Sequence, residues 1–92
     1  MLESSIEDAM RRMVHEAGGM ILKLAPITAG VPDRLVLLPG GKIRFVELKS
    51  ATGRLRPDQA AWHRKAAKRG VPVAVLSSTT EVKQWLVEEL RS

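Results

Sequence analysis

The chain has 92 residues, 45% of them apolar and 27% charged, which suits one folded domain and leaves no room for a second. A domain of this length buries only about 60–65% of its unfolded surface, so a second copy would usefully enlarge the core. There is no cysteine, which excludes disulfides and thiolate–zinc sites and fits a reducing cytoplasm. No apolar run reaches the roughly 18 residues that cross a bilayer, and Met1-Leu2-Glu3 is unlike the basic start of a signal peptide. A net charge of +5 points to a polyanionic partner. The basic residues are spread along the chain and do not line one face opposite an apolar helix stripe, so nucleic acid fits better than a membrane.

In chain order, Ser4-Ser5-Ile6-Glu7 reads as a capping box opening a helix. Ile6, Met10, Val14 and Ala17 recur at helical spacing, and Gly18-Gly19 ends the helix. Met20 to Leu24 is a short apolar strand, and Ala25 to Val31, with Pro26 and Gly30, a loop. Arg34 to Leu38 and Ile43 to Lys49 make a hairpin around the turn Pro39-Gly40-Gly41-Lys42. A polar connector, Ser50 to Arg56, leads to Pro57, well suited to the first position of a helix that runs to about Arg69 and closes at Gly70. Val71 to Leu76 is a fourth strand. Ser78-Thr79-Thr80-Glu81 repeats the capping-box pattern before a helix whose apolar face carries Val82, Trp85, Leu86 and Leu90. The order α-β-β-β-α-β-α predicts an α/β fold with a mixed sheet of about four strands flanked by helices, the fourth strand reached through a helical crossover.

The chemistry concentrates on the hairpin. If the turn closes between Pro39 and Lys42, Asp33 falls opposite Glu47 to Lys49, and Glu47 and Lys49, two apart on a strand, share a face. A slip of one residue would turn one partner away. Two carboxylates and a backbone carbonyl, that of Leu48, are hard oxygen donors of the kind magnesium and manganese take. Such a cation with a neighbouring lysine can neutralise charge and activate water at a phosphodiester. Each residue also has an ordinary explanation: Asp33 after proline is a frequent turn former, Glu47 and Lys49 suit a solvated strand face, and the capping box accounts for Glu7. Phe45 on the same face as Glu47 and Lys49 speaks against a solvated face. Trp62 and Trp85 sit among apolar neighbours as core anchors, and His15 and His63 read as surface or interface polars without a metal-ligand partner. Neither Gly40-Gly41 nor Thr52-Gly53 forms a phosphate-cradling nucleotide loop.

Gly30-Val31-Pro32-Asp33-Arg34, the spacer, and Phe45-Val46-Glu47-Leu48-Lys49 together resemble the VRR-NUC domain of the PD-(D/E)xK nucleases, a superfamily that includes Holliday-junction resolvases. The resemblance spans nearly the whole chain and looks like the stand-alone form found in phages and bacteria. It implies a restriction-endonuclease-like fold, Asp33 and Glu47 as metal ligands, and Lys49 as the catalytic lysine. Gln59 matches a site-supporting glutamine. Glu7 matches the first-helix acid, a further ligand, with Glu3 the competing candidate. It also implies a magnesium- or manganese-dependent endonuclease acting on branched DNA as a homodimer. Arg34, Lys42, Arg44, Arg54, Arg56, Arg64 and Lys65 are the candidate phosphate contacts. The alternatives are a monomeric flap or nicking nuclease, a non-catalytic basic DNA-binding dimer, and an adaptor in which Glu47 and Lys49 form a surface ion pair.

Overall fold

The computed structural model describes residues 3–25 and 28–92, so Pro26 of the expected loop lies outside the described residues. The elements follow the expected order: α1 (Glu3–Glu16), β1 (Met20–Lys23), β2 (Arg34–Leu38), β3 (Lys42–Leu48), α2 (Pro57–Lys68), β4 (Val73–Leu76) and α3 (Thr79–Arg91). The four strands form one sheet in the order β1-β2-β3-β4. The first three are antiparallel, and β4 joins β3 in parallel through α2. No helix among the described residues is long and apolar enough to cross a membrane.

The alternation of side chains along β2 and β3 divides the sheet into two faces. Val36, Leu38, Val46 and Leu48 point to one face, where Ile6, Met10 and Val14 of α1 and Val82 and Leu86 of α3 close over them. This is the main core, and its central side chains are fully buried. On the opposite face α2 covers the β3–β4 side, where Trp62 meets Phe45 edge-on at 5.4 Å between ring centroids. Phe45 and Trp62 are therefore packing anchors, and Trp85 packs against the core from α3.

Four local expectations change. The helix α1 begins at Glu3, so Ser4 lies inside it. Glu7 does not close a capping box, because its carboxylate turns to two arginines. At α3 the Ser78 hydroxyl does accept the Glu81 N–H, but the Glu81 carboxylate accepts from the Ser77 N–H and hydroxyl, one residue earlier than the box requires. The fourth strand starts at Val73 and not Val71: the Val71 N–H donates to Ala66 at the end of α2, and Pro72 has no N–H for a ladder. The hairpin ladder closes on Leu38 and Lys42, one residue earlier on β2 than the turn suggested.

That last shift decides which side chains meet. Arg34 pairs with Val46, so the next step places Asp33 directly across from Glu47, on the same face. The turn is Pro39-Gly40-Gly41, with φ of +87° and +76° at the two glycines, a conformation that L side chains resist.

Candidate functional site

The site lies where β2 begins and β3 ends. Asp33 is held from three sides. Its backbone carbonyl accepts from the Leu24 N–H beyond β1 at 2.9 Å, and from Arg34 Nη1 at 3.1 Å. Its Oδ1 accepts the Leu48 N–H at 3.3 Å, so the carboxylate takes the place of a ladder acceptor beside β3. An extended residue's N–H and C=O leave the same edge of its strand, so the Leu48 carbonyl faces this side as well. The turn before Asp33 is braced by Gly30, whose φ is +88°; a Cβ there would lie 2.3 Å from the Asp58 carbonyl oxygen. Only glycine lets this loop rest on the first turn of α2.

Glu47 is the centre of the site. Its burial is unusual for a carboxylate, with 2% of its surface exposed, and Oε1 is shut off from solvent with no hydrogen-bond donor among the described residues. Burial pushes its carboxyl up from 4.5 to about 7, and the Asp33 charge adds to the rise, while Lys49 and Arg56 pull the other way. Lys49, next on the same face, extends the β3–β4 ladder through its N–H to the Leu76 carbonyl at 3.0 Å. An open cleft of about 380 Å³ joins these groups, walled by Asp33, Glu47, Lys49, Arg56 and Gln59 together with Glu3, Lys23, Leu24 and Pro32.

Gln59 belongs to this wall and is buried, its Oε1 accepting the Arg56 N–H at 2.9 Å. It thereby caps α2 and ties the connector to the cleft. Glu7 is not brought to the cleft. Its two oxygens bind Arg34 Nη2 at 2.6 Å and Arg11 Nη2 at 2.8 Å. Burial alone would raise its carboxyl, but the hydrogen bonds from Arg34 and Arg11 and the charges of Arg34 and Lys23 hold it below the usual value. Glu3, one turn earlier, is the first-helix acid that lines the cleft and whose charge acts on Glu47.

Of the seven candidate phosphate contacts, three are engaged by other groups of the protein. Arg34 is 3% exposed, its guanidinium engaged by Glu7 and lying 3.5 Å from Asp33 Oδ2. A buried, paired guanidinium cannot reach a phosphate, so Arg34 braces the site. Lys42 binds the backbone carbonyls of Glu89 and Ser92 at the end of α3, and Arg44 forms an ion pair with Glu89 at 2.6 Å. Both sit at the turn end of β3, roughly 10–16 Å along the strand from Glu47. Arg54, Arg56, Arg64 and Lys65 are exposed, and Arg56 borders the cleft itself.

Sequence reasoning missed Lys23 on the cleft wall and His63 behind it. His63 is a part-buried neighbour of Glu47, its Nε2 shut off from solvent 3.4 Å from Oε1, and not a surface polar. Its helical spacing of four from Gln59 was the available signal, since residues four apart share one face of a helix. Burial, with the charge of Lys49, holds its imidazole below the usual value.

The donor set suits a hard divalent cation: two carboxylates, one of them buried, and a backbone carbonyl, without thiolates. Among the described residues no three histidine or acidic side chains gather as a ready-made cage. A cation here would keep several waters, as magnesium commonly does.

Comparison with known proteins bears on the family and the fold. The family model of the VRR-NUC domain matches residues 2–80. A protein of Acyrthosiphon pisum secondary endosymbiont phage 1, named "Putative nuclease p44", is 43% identical over 77 residues, covering 83% of each chain. A solved structure described as a VRR_NUC domain superposes with a TM-score of 0.83 at 32% identity, over 91% of this chain and 92% of the other. The matched sequence, the shared fold and the Asp33–Glu47–Lys49 arrangement lead to one conclusion: this chain belongs to the VRR-NUC domain family.

Proposed function

We propose that this nuclease-family domain is a magnesium- or manganese-dependent endonuclease that hydrolyses phosphodiester bonds in branched DNA. The observation that carries the reading is Glu47: a buried carboxylate beside Asp33 and Lys49 at the wall of an open cleft. A fold has no packing reason to bury a carboxylate in this way, because isolated buried charge is costly. A bound cation would relieve that cost.

Asp33, Glu47 and the Leu48 carbonyl are the proposed ligands. A divalent cation held by them supplies positive charge at the phosphoryl oxygens and lowers the pKa of its water. Lys49, on the same strand face as Glu47, contributes an ammonium group that stabilises negative charge developing on the phosphate and orients the attacking water. Gln59 holds the connector and the start of α2 against the cleft. Glu7 acts at one remove, clamping Arg34, which in turn steadies Asp33. Arg54, Arg56, Arg64 and Lys65, joined by Lys23, are the proposed phosphate contacts. They would position DNA without reading its bases, so binding should weaken with added salt and select shape over sequence.

A homodimer is part of this proposal, since paired cuts on a four-way junction need two sites. The support is an uncovered apolar sheet face. Met20, Leu22 and Ile43 are exposed, and they adjoin Leu35 and Leu37 as cross-strand partners on the face that α1 and α3 leave open. A two-fold pairing of this face would bury it against itself. The proposed setting is the cytoplasm of a bacterial or phage-infected cell.

The test is cleavage of four-way junctions, flaps and plain duplex with magnesium or manganese, by the wild-type protein and by Lys49→Ala. Metal-dependent cutting of branched DNA is expected, with the variant slower by about a hundredfold or more. Absence of cutting by the wild type would remove the enzyme reading and leave the basic DNA-binding dimer. Equal cutting by the variant would remove Lys49 from the mechanism.

A further inference from the structure

Two polar atoms behind the cleft are buried without partners and face each other: Glu47 Oε1 and His63 Nε2, 3.4 Å apart. A mature hydrogen bond of this kind is about half an ångström shorter. Neither atom has a hydrogen-bond partner among the described residues. The Glu47 carboxylate can only accept when ionised, and a neutral imidazole protonated at Nε2 can donate. His63 lies on α2, four residues after Gln59, while Glu47 is on the central strand β3, so the contact joins the crossover helix to the metal-facing strand.

We propose that His63 is a positioning residue: its Nε2–H donates to Glu47 Oε1 and fixes the rotation of the carboxylate, leaving the second oxygen for a divalent cation. This rests on the reading of Glu47 as a metal ligand. Carboxylate ligands are ordinarily held by such a second hydrogen bond, which sets their orientation and sharpens affinity.

The contribution of the donor can be separated from that of the shape by His63→Gln, which keeps an N–H at similar reach, and His63→Met, which has a similar length and no donor. Calorimetric titration of the full chain with manganese is the primary readout, with circular dichroism melts to establish folding. His63→Met should weaken manganese binding by about 10–100-fold, and His63→Gln should stay near the wild-type affinity. In cleavage assays the manganese concentration for half-maximal rate should rise for His63→Met, with the rate at saturating metal largely retained. Should His63→Met fail to fold, His63→Leu takes its place as the donor-less variant.

Three outcomes overturn the proposal, and they differ in what else they overturn. If the wild type binds no manganese, the metal reading fails and this inference with it. If the wild type binds and both variants bind equally well, Glu47 needs no donor and only this inference falls. If His63→Gln and His63→Met are weakened to the same degree in folded protein, His63 serves packing alone.

Discussion

A carboxylate with almost no exposed surface must be neutralised by a proton, a cation or donors, and Glu47 makes that requirement measurable. In the metal-free protein its carboxyl titrates near 7 in the folded state, against 4.5 for the ordinary side chain. The folded state therefore binds the proton more tightly than the unfolded chain does. The resulting stabilisation is fully present below about pH 4.5 and is lost as pH rises through 7. Its size is on the order of 3 kcal/mol, at 1.36 kcal/mol per pKa unit. In chelator, the stability of the wild type relative to Glu47→Gln should fall by that order between pH 4.5 and 8, measured by urea unfolding at each pH. Manganese should restore much of the loss at pH 8 if the carboxylate is a ligand. Arg34 obeys the same constraint with the opposite charge: two carboxylates and a carbonyl surround it, and this is why an arginine beside the proline–aspartate pair turns inward and not towards DNA.

At the level of elements, the site depends on where three segments end. The ladder between β2 and β3 stops at Arg34 and Val46; just beyond it the Asp33 carboxylate accepts the Leu48 N–H, while Glu47 stays fixed by its pairing with Val75 of β4. The loop before β2 is set by contact with α2 at Gly30. Gly30→Ala would combine a positive φ with a Cβ driven into the Asp58 carbonyl, so the loop must lift from the helix. A loss of about 2 kcal/mol or more is expected in thermal or urea unfolding. Cleavage should fall further than the fraction unfolded explains, because Asp33 moves with the loop. An unchanged rate in folded Gly30→Ala protein would show that the loop does not position Asp33.

On the scale of the whole molecule, α1 and α3 cover one face of the sheet and the single helix α2 covers only part of the other. The open part, around Met20, Leu22 and Ile43, is the surface on which the homodimer proposal can be tested. Ile43→Glu lies at the turn end of the hairpin, away from the cleft, and should leave the fold intact while placing a charge in any interface built there. Sedimentation or light scattering should show a dimer for the wild type and a monomer for the variant. The monomer should nick a four-way junction on one strand at a time, with the paired cut lost. A wild-type monomer that cuts flaps would favour the alternative reading instead.

The element order, the hairpin, the core positions and the grouping of Asp33, Glu47 and Lys49 could be reached from the chain alone, because they follow from short-range rules. Apolar period distinguishes strand from helix, glycine and proline mark the turns, and a short hairpin confines its register to one or two choices. Which choice is taken, and with it the pairing of Asp33 with Glu47, depended on how Leu38 and Lys42 close the turn in the folded sheet. The diversion of Glu7 to Arg34, the burial of Arg34, and the approach of His63 to Glu47 join residues 27 and 16 positions apart or more through packing of helices on the sheet. Local pattern has no access to such contacts. A charged side chain reads the same in sequence whether it ends in water or in the core, and only the tertiary arrangement of its neighbours settles which.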